Sequence, residues 1–293
     1  MIRGGRWKKR VEEILASHQI PTELAVLPYI ESAYDPAARS KAGAVGVWQL
    51  TSATGRRFVR IDRHIDERRD VYASTRAAAL YLKEAHAKLG SWPLSVTSYN
   101  HGVNGMVRAK NELGTSDISR LVREYSGPYF GFASKNFYAE FLAALEVSRR
   151  PEAYFGTLAI EPAESVIHFT LPSPARFSAL AKAFRATTDE LRRLNPALGS
   201  RVLQDRYGVP SGAVINIPAG RVADPRRAFL SLPEAERSSK LEPAGYKVRW
   251  GDTLSDIARL HRVTVGELQA ANGMGRSTRI RAGEQLTIPP PSR

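Results

Sequence analysis

The pattern of hydrophobic and polar residues divides the chain into two parts. From residue 7 to about residue 155, apolar residues recur at helical spacing, and Gly and Pro interrupt the pattern where helices end. One helix is predicted over residues 74–89, with Ser74 as its N-cap and Gly90 as the residue that terminates it. Another is predicted from about residue 133 to residue 148. This part is therefore predicted to be an all-α domain.

After Pro151 the pattern changes to short β-prone runs beside compact helical stretches. The runs cover residues 166–171, 214–218, 246–250 and 285–289. When residues 177–195 are set beneath residues 254–272, Thr187 aligns with Thr264, Glu190 with Glu267 and Asn195 with Asn272. The aligned Thr and Glu predict a capping box at the start of the second helix in each segment. The two segments are predicted to be copies of one βααβ unit.

The predicted fold class is α+β multidomain, with an all-α domain followed by two small βααβ modules. The predicted boundaries are residues 1–155 for the all-α domain, 164–220 for the first module and 245–290 for the second. Residues 221–244 are rich in charge, Pro and Ser, which is typical of a linker, and could include a short helix.

The composition narrows the functional classes. The formal net charge of +14 favours a polyanionic partner. No stretch alternates Lys or Arg with aromatics as a single-strand-binding groove would, so a nucleic acid partner is not expected. The chain has no cysteine, and its histidines lack the spacing of metal ligands, so no metal site is predicted. No apolar run approaches the ~20 residues that span a bilayer, and the charged start does not resemble a signal peptide.

Three short clusters in the all-α part carry candidate chemistry. Glu31 follows an apolar stretch, and a carboxyl held partly out of water is a suitable acid for cleaving a glycosidic bond. Residues 43–51 combine glycines that would allow close approach of a ligand with a stacking surface at Trp48 and an amide at Gln49. Residues 98–102 place a phenol and an amide where a helix stops. Taken singly, each cluster also fits a solvated helix end or a well-packed helix junction.

Together, the clusters resemble the family 1 lytic transglycosylases, and most closely the membrane-bound lytic murein transglycosylase D group. The family's first motif, Glu-Ser, is similar to Glu31-Ser32, and its Gly-x-x-Gly-x-x-Gln motif is similar to residues 43–49. Its Ala-Tyr-Asn-x-Gly motif is similar to residues 98–102, with Ser98 in place of the usual Ala. The resemblance runs from about residue 7 to residue 154 and implies a lysozyme-like fold for the all-α domain.

The βααβ units resemble LysM modules, which bind polymers containing N-acetylglucosamine. The second unit has the characteristic opening, and the resemblance implies that Gly251, Asp252, Thr253 and Asn272 bind glycan. The first unit lacks the Gly-Asp-Thr opening, so that it is either a degenerate glycan-binding module or a structural spacer.

The resemblance also implies an activity, which is cleavage of the β-1,4 bond between N-acetylmuramic acid and N-acetylglucosamine in peptidoglycan to form 1,6-anhydromuramic acid ends. Glu31 would act alone, first as acid and then as base, without a cofactor. Ser32 and Tyr99 would hydrogen-bond near the catalytic carboxyl or the substrate's acyl group, and three side chains would line the sugar subsites: Gln49, Asn100 and Tyr138. The mixed charges of residues 66–70 are interpreted as a structural salt-bridge and capping cluster.

Alternative functions remain open at this point. A hydrolytic muramidase on the same scaffold differs only in whether water reaches the sugar carbon, and a non-catalytic peptidoglycan-binding protein would use the LysM modules alone. The partner expected in each case is the peptidoglycan glycan strand, bound by a monomer. The expected location is the periplasm or cell envelope, with the export signal absent from this chain.

Overall fold

The computed structural model describes residues 1–237, 244–261 and 263–289. The N-terminal part is helical, as predicted. Within the described residues, no helix is both long and apolar enough to cross a membrane. The helices of this part are α1 Lys8–Ser17, α2 Leu27–Ser32, α3 Ser52–Gly55, α4 Val71–Leu89, α5 Trp92–His101, α6 Val103–Leu113, α7 Ile118–Glu124, α8 Phe132–Arg149 and α9 Pro151–Phe155, with 3-10 turns at Arg3–Arg6, Thr22–Val26 and Glu67–Arg69.

The start of α4 differs from the prediction, because Asp70 and not Ser74 is its N-cap. The Asp70 carboxylate accepts a hydrogen bond from the Ala73 amide at 2.7 Å, which satisfies one of the free N–H groups of the first turn. Ser74 is fully buried one turn later, and its hydroxyl donates to the Asp70 carbonyl at 2.6 Å. The other end is confirmed, since Gly90 adopts φ 68° at the C-cap.

The core of the helical domain lies where α4 packs against α1 and α5. Leu15, Leu27, Trp48 and Leu82 are fully buried there. Each such side chain contributes about 1.5–3 kcal/mol through removal of apolar surface from water. A smaller core holds α6, α7 and the segment before α8, and it includes Met106, Leu121, Tyr125 and Phe130. These cores fix the elements that carry the candidate site.

The C-terminal part contains two small antiparallel sheets with helices between their strands. In the first, Val166 pairs with Pro218 and Thr170 with Val214. In the second, Lys247 pairs with Gln285, so that the third strand ends three residues before the predicted limit of residue 250. The elements are β1 Val166–Thr170, α10 Phe177–Ala183, α11 Thr188–Leu194, α12 Ser200–Leu203, β2 Val214–Pro218, α13 Pro225–Leu230, α14 Glu234–Arg237, β3 Ala244–Lys247, α15 Leu254–His261, α16 Val265–Ala271 and β4 Gln285–Ile288.

An asparagine at the end of the second helix fastens each unit to its last strand. The Asn195 side chain donates to the Leu191 and Asn216 carbonyls and accepts from the Asn216 amide, at 2.8–2.9 Å. Asn272 makes the same three bonds, to the Leu268 carbonyl and to both backbone groups of Thr287, at 2.6–2.7 Å. The equivalent bonding agrees with the predicted repeat.

The predicted capping boxes form to different extents. Thr264 and Glu267 form the reciprocal box, in which each side chain bonds the other residue's backbone amide. Thr187 caps the Glu190 amide at 3.1 Å, but the Glu190 carboxylate pairs with Arg221 instead of returning to the cap.

The segment predicted as a linker is partly folded onto the first unit. Phe229 on α13 is fully buried, and its ring lies 5.8 Å from that of Phe169 on β1. The Arg237 carbonyl accepts a hydrogen bond from the Ser173 hydroxyl. The sequence did not predict these contacts, because the charged residues around them are typical of a linker. Residues 238–243 of the predicted linker lie outside the described residues.

The first βααβ unit is docked against the helical domain by hydrogen bonds. The Asn216 amide nitrogen donates to the Asp70 carboxylate at 2.7 Å, close to the N-terminus of α4. Two backbone bonds join the same surfaces, from the Asp66 amide to the Ala197 carbonyl and from the Gly199 amide to the His64 carbonyl. The docked unit therefore contacts the segment that leads into α4.

Candidate active site

Glu31 lies in the last turn of the short helix α2, where the chain reverses sharply. Ala33 and Tyr34 follow with φ of 51° and 59°, in the left-handed region that L-residues rarely adopt. The fully buried Tyr34 ring holds this turn, because its hydroxyl donates to the Ala25 carbonyl at 2.7 Å. The turn presents Glu31 at the end of the helix rather than along an exposed helical face.

The carboxyl of Glu31 is mostly buried, which disfavours its negatively charged form. Burial, with a smaller contribution from the negative charge of Glu140, raises its pKa from 4.5 to about 7. Within the described part of the chain, Glu31 has no side-chain hydrogen bond and no ion pair that would stabilise the charged form. The carboxyl can therefore hold a proton near neutral pH and release it to a base.

Ser32 connects the helix end to the glycine-containing segment of residues 43–50, named here the glycine loop. Its hydroxyl is within hydrogen-bonding distance of the Val47 carbonyl at 2.8 Å and the Pro28 carbonyl at 3.2 Å. Both are backbone groups, so Ser32 positions Glu31 relative to the glycine loop. Its contact with substrate stays a prediction.

The glycines of the loop allow close approach of protein backbone. Gly46 has φ 83°, and a β-carbon there would lie 1.8 Å from the Arg68 carbonyl oxygen. The sequence interpretation was that these glycines make room for a ligand. At Gly46 the space is taken by the chain itself.

Arg68 is the residue of the predicted salt-bridge and capping cluster that holds the glycine loop, a contact that the sequence did not predict. Its guanidinium is almost completely buried, pairs with Asp66 at 2.7 Å, and donates to the Gly43 and Leu50 carbonyls at both ends of the glycine loop. Asp66 also caps the 3-10 turn at Glu67–Arg69. The predicted structural role of residues 66–70 is confirmed.

Trp48 was expected to offer a stacking surface, and this expectation is wrong. The indole is completely buried, and its N–H donates to the Thr75 hydroxyl of α4 at 2.8 Å. Gln49 follows with φ 46°, and its amide nitrogen donates to the Gly46 and Ala38 carbonyls. Its amide oxygen has no partner among the described residues and is the group through which Gln49 could contact a ligand.

Tyr99 lies close enough to Glu31 for the charge of Glu31 to affect the ionisation of the phenol. Burial and the Glu31 charge raise the pKa of Tyr99 far above its ordinary value, so the phenol stays neutral. Its hydroxyl donates to the Trp48 carbonyl at 2.7 Å and so joins α5 to the glycine loop. The structure brings Glu31, Ser32, Gln49 and Tyr99 together around this loop.

The two other predicted subsite residues lie on the α5 and α8 side. Asn100 is exposed, and its amide oxygen accepts a hydrogen bond from the Ser134 hydroxyl at 2.8 Å, which leaves the amide nitrogen available. Tyr138 is half-buried, with its ring stacked at 5.9 Å from that of Phe141.

Glu140 lies on α8, and its negative charge contributes to the raised pKa of Glu31. Sequence analysis missed it, because an exposed acidic residue on an amphipathic helix carries no distinguishing signal.

In the second βααβ unit, the predicted glycan-binding side chains are engaged within the unit itself. Asp252 accepts hydrogen bonds from the Tyr246 hydroxyl and the Arg249 amide, both at 2.7 Å. The Thr253 hydroxyl donates to Asp256 at 2.6 Å, and Gly251 supplies a positive φ of 89°. Their roles in glycan binding remain predictions.

Comparisons with known proteins agree with this geometry. The Transglycosylase SLT domain family matches residues 12–122, which include Glu31, the glycine loop and Asn100. The LysM domain family matches residues 246–289, which are the second βααβ unit. The chain therefore carries an SLT transglycosylase domain followed by a LysM domain. Tyr138 and Glu140 lie beyond the matched part of the SLT domain.

Two relatives that match most of the chain are murein transglycosylases by name. The chain is homologous to membrane-bound lytic murein transglycosylase D of Escherichia coli K12, with 28% identity over 280 residues that cover 92% of this chain and 60% of the relative. The same protein of strain O6:H1 matches equally. The chain thus spans about 60% of the length of these relatives. A putative tributyltin chloride resistance protein of Alteromonas sp. strain M-1 is 39% identical over 92 residues, which are 31% of this chain and 44% of that protein.

A solved structure with some likeness is an inactive mutant of lytic transglycosylase Slt from Pseudomonas aeruginosa. It has 16% identity and a TM-score of 0.42, and the match covers 53% of this chain and 25% of that one.

No group of three or more His, Asp or Glu side chains is arranged to hold a metal ion among the described residues.

Proposed function

We propose that this protein is a peptidoglycan lytic transglycosylase, which cleaves the β-1,4 bond between N-acetylmuramic acid and N-acetylglucosamine. The observation that carries the proposal is the mostly buried, unpaired carboxyl of Glu31, whose pKa lies at about 7. An acid poised near neutral pH can both give and take a proton, which the reaction requires of one residue. The SLT domain match and the homologous murein transglycosylases support the assignment.

In the first step, protonated Glu31 donates its proton to the glycosidic oxygen. The bond from this oxygen to C1 of the muramic acid breaks, and the N-acetylglucosamine portion leaves with a free hydroxyl. Positive charge develops on C1, where the substrate's own N-acetyl group can stabilise it. This assistance removes the need for a second carboxylate at the site.

In the second step, the Glu31 carboxylate acts as a base. It takes the proton of the muramic acid C6 hydroxyl while the C6 oxygen bonds to C1, which forms the 1,6-anhydro ring. The proton that left Glu31 in the first step is replaced in the second, and no water is consumed. Burial of the Glu31 carboxyl and the nearby negative charge of Glu140 favour this return to the protonated form.

The other cleft residues would bind and orient the sugars. The amide oxygen of Gln49 and the amide nitrogen of Asn100 are free to hydrogen-bond hydroxyl and N-acetyl groups. Tyr138 would contribute an aromatic edge to the subsites. Ser32 and Tyr99 bond the glycine loop and would act mainly by holding it against Glu31.

We propose that the LysM domain holds the enzyme on peptidoglycan. The formal charge of +14 would add a less specific attraction to an anionic wall polymer. With these partners, the protein would act in the cell envelope, in keeping with the names of its membrane-bound murein transglycosylase relatives.

The test is the product spectrum of the Glu31→Gln variant on purified murein sacculi. Glutamine keeps the shape of the side chain but cannot donate and recover a proton. We expect release of 1,6-anhydromuropeptides, measured by mass spectrometry, to fall by roughly 10²–10⁴-fold, the usual contribution of general acid–base catalysis. Glu140→Gln is the matched control, since it removes the nearby charge without removing the proposed acid.

The rival functions give different results in the same assay. A hydrolytic muramidase would release reducing muramic acid ends without anhydro ends, and Glu140 would then be the first candidate for activating the water. A non-catalytic wall-binding protein would release neither product, while the wild type and Glu31→Gln would bind sacculi equally well.

A further inference from the structure

Two aromatic side chains project into solvent where α8 begins, one on the preceding loop and one at the first residue of the helix. Tyr129 is 94% exposed and Phe132 is 83% exposed. Large aromatic rings are normally buried to a high degree, so two such rings close in sequence on a surface indicate a place where something covers them. Neither belongs to the motifs identified from sequence.

The segment that carries these two rings is held in place by a buried side chain between them. Phe130, between them, is 4% exposed, and its ring makes edge contacts with those of His101 at 4.9 Å and Tyr125 at 5.3 Å. Tyr129 adopts φ 63°, in the left-handed region that L-residues rarely adopt. Because Phe130 is held in the core, the neighbouring rings are presented in a defined position rather than on a free loop.

The exposed rings border a groove of about 330 Å³, within the range of about 300–1,000 Å³ that is usual for small-molecule sites. The groove is lined by two residues at the end of α5 and by the segment where α8 begins: Asn100, His101, Tyr129, Gly131, Phe132, Ala133 and Ser134. Burial and the charge of Arg108 lower the pKa of His101, so its ring is neutral. The described lining therefore combines aromatic faces and neutral polar groups without a full charge.

This chemistry fits an uncharged sugar ring better than a peptide carboxylate or a phosphate. A pyranose presents C–H groups that pack on an aromatic face and hydroxyl or N-acetyl groups that bond an amide. The Asn100 amide nitrogen is available for such a bond, because the Ser134 hydroxyl engages only the amide oxygen. Asn100 follows Tyr99 on α5, and Tyr99 bonds the glycine loop and senses the charge of Glu31, so the groove begins one residue along α5 from a side chain of the candidate site.

We propose that Tyr129 and Phe132 form an aromatic platform on which an N-acetylhexosamine ring of the glycan strand stacks, in a subsite beyond the sugars at the scissile bond. The inference rests on the proposed function, because the strand that reaches Glu31 is the one that covers the platform. It gives the enzyme a preference for longer strands over fragments that fill only the central subsites.

Kinetics on peptide-free glycan strands of graded length test the platform with the full chain. For Tyr129→Ala and Phe132→Ala we expect the KM for long strands to rise by about fivefold each, and by about 20-fold for the double variant. The kcat should stay within about twofold, and fragments too short to reach the groove should be cleaved as by wild type. Tyr129→Phe should retain the wild-type KM, because it keeps the ring. Phe155→Ala is the matched control, since Phe155 is 57% exposed on α9.

A second measurement locates binding without requiring catalysis. In the Glu31→Gln chain, hydrogen exchange followed by mass spectrometry should show that chitohexaose slows exchange in peptides covering residues 126–135. The double alanine substitution should abolish that protection and leave protection of residues 43–50.

Protection of the glycine loop alone, with an unchanged KM in the alanine variants, would overturn the platform and leave the proposed function standing. Absence of protection in both regions, together with absence of cleavage by wild type, would instead reject the function on which the platform rests. Loss of phospholipid-vesicle binding in the alanine variants, with glycan kinetics unchanged, would assign the rings to a membrane surface and also overturn the proposal.

Discussion

The candidate site of the SLT domain and the two βααβ units differ in whether their buried polar groups are hydrogen-bonded. In the cleft, Glu31 is mostly out of water with no described hydrogen-bond partner, and its pKa is raised to about 7. In the first unit, Asn195 is 2% exposed and makes three hydrogen bonds, and Asn272 repeats them in the LysM domain. A buried polar group with its bonds made stabilises the fold, whereas one without them is available for chemistry at a cost in stability.

The same distinction separates the motif residues within the cleft. Ser32 and Tyr99 use their hydroxyl groups to bond backbone carbonyls of the glycine loop, and Arg68 bonds the loop at both ends. These side chains are part of a framework. The groups left free around it are the Glu31 carboxyl, the Gln49 amide oxygen and the Asn100 amide nitrogen, and these are the ones expected to meet the substrate.

Replacement of Asn195 by Ala should give the largest loss of stability. It removes the amide group that bonds both the N–H and the C=O of the Asn216 backbone, and so leaves these two groups unsatisfied within the first unit. With each buried unsatisfied group costing about 1–3 kcal/mol, we expect the free energy of unfolding of this unit to fall by about 3 kcal/mol. Urea unfolding, followed by far-UV circular dichroism and analysed for more than one transition, measures the change.

Asn272→Ala is the matched variant in the LysM domain. Asn272 is only half-buried, so water can replace part of the lost bonding, and we expect about half the effect. Equal losses in the two variants would contradict the idea that docking against the helical domain makes the first unit drier than the second.

Replacement of Glu31 by Gln should change stability in the opposite direction, and only at higher pH. Below pH 4.5 the carboxyl is protonated in both the folded and the unfolded chain, so burial has no ionisation cost. Between pH 4.5 and about 7 the unfolded chain ionises first, and the wild type loses stability as the pH rises. Because part of the side chain reaches solvent, we expect the variant to gain about 2 kcal/mol over wild type between pH 4 and pH 8.

Urea unfolding of both proteins at pH 4 and pH 8 measures this gain. Glu140→Gln serves as the control, since it should lower the pKa of Glu31 slightly and recover only a small part of the gain. A difference between wild type and Glu31→Gln that does not vary with pH would show that Glu31 is not desolvated in the folded protein.

Much of the fold could be predicted because the relevant signals are local. Helical spacing, Gly90 at a C-cap and the Thr264–Glu267 box each reflect interactions within a few residues. The predicted start of α4 was four residues too late, because Ser is a common N-cap residue but Ser74 lies on the buried face of the helix. The burial of Phe229 depends on contact with Phe169, far away in the sequence, and could not be anticipated.

The sequence predicts where a candidate site lies better than it predicts which side chains there are free for a ligand. Motif order located Glu31 and the glycine loop, but it did not show that Trp48 is buried or that Gly46 accommodates the Arg68 backbone. The raised pKa of Glu31 depends on burial and on Glu140, which α8 brings near from more than a hundred residues away. Three-dimensional proximity decides which polar groups are already bonded, and spacing along the chain does not report it.

The smallest predicted effect concerns the proposed binding of glycan by the LysM domain. Its motif side chains at Asp252, Thr253 and Asn272 are hydrogen-bonded internally, whereas Trp250 is 94% exposed at the start of the motif. We expect Trp250→Ala to weaken retention on sacculi about fivefold, equivalent to about 1 kcal/mol of lost stacking, while unfolding and cleavage of soluble glycan stay unchanged.

The first unit has Ser173 at the position that aligns with Trp250. Ser173→Ala should therefore leave retention on sacculi unchanged, while Trp250→Phe should restore most of the binding because it keeps an aromatic face. Co-sedimentation of each Glu31→Gln double variant with sacculi measures retention without degradation of the polymer. If Ser173→Ala weakened retention as much as Trp250→Ala, both units would bind glycan, and the contrast between a structural role for the first unit and a binding role for the second would be wrong.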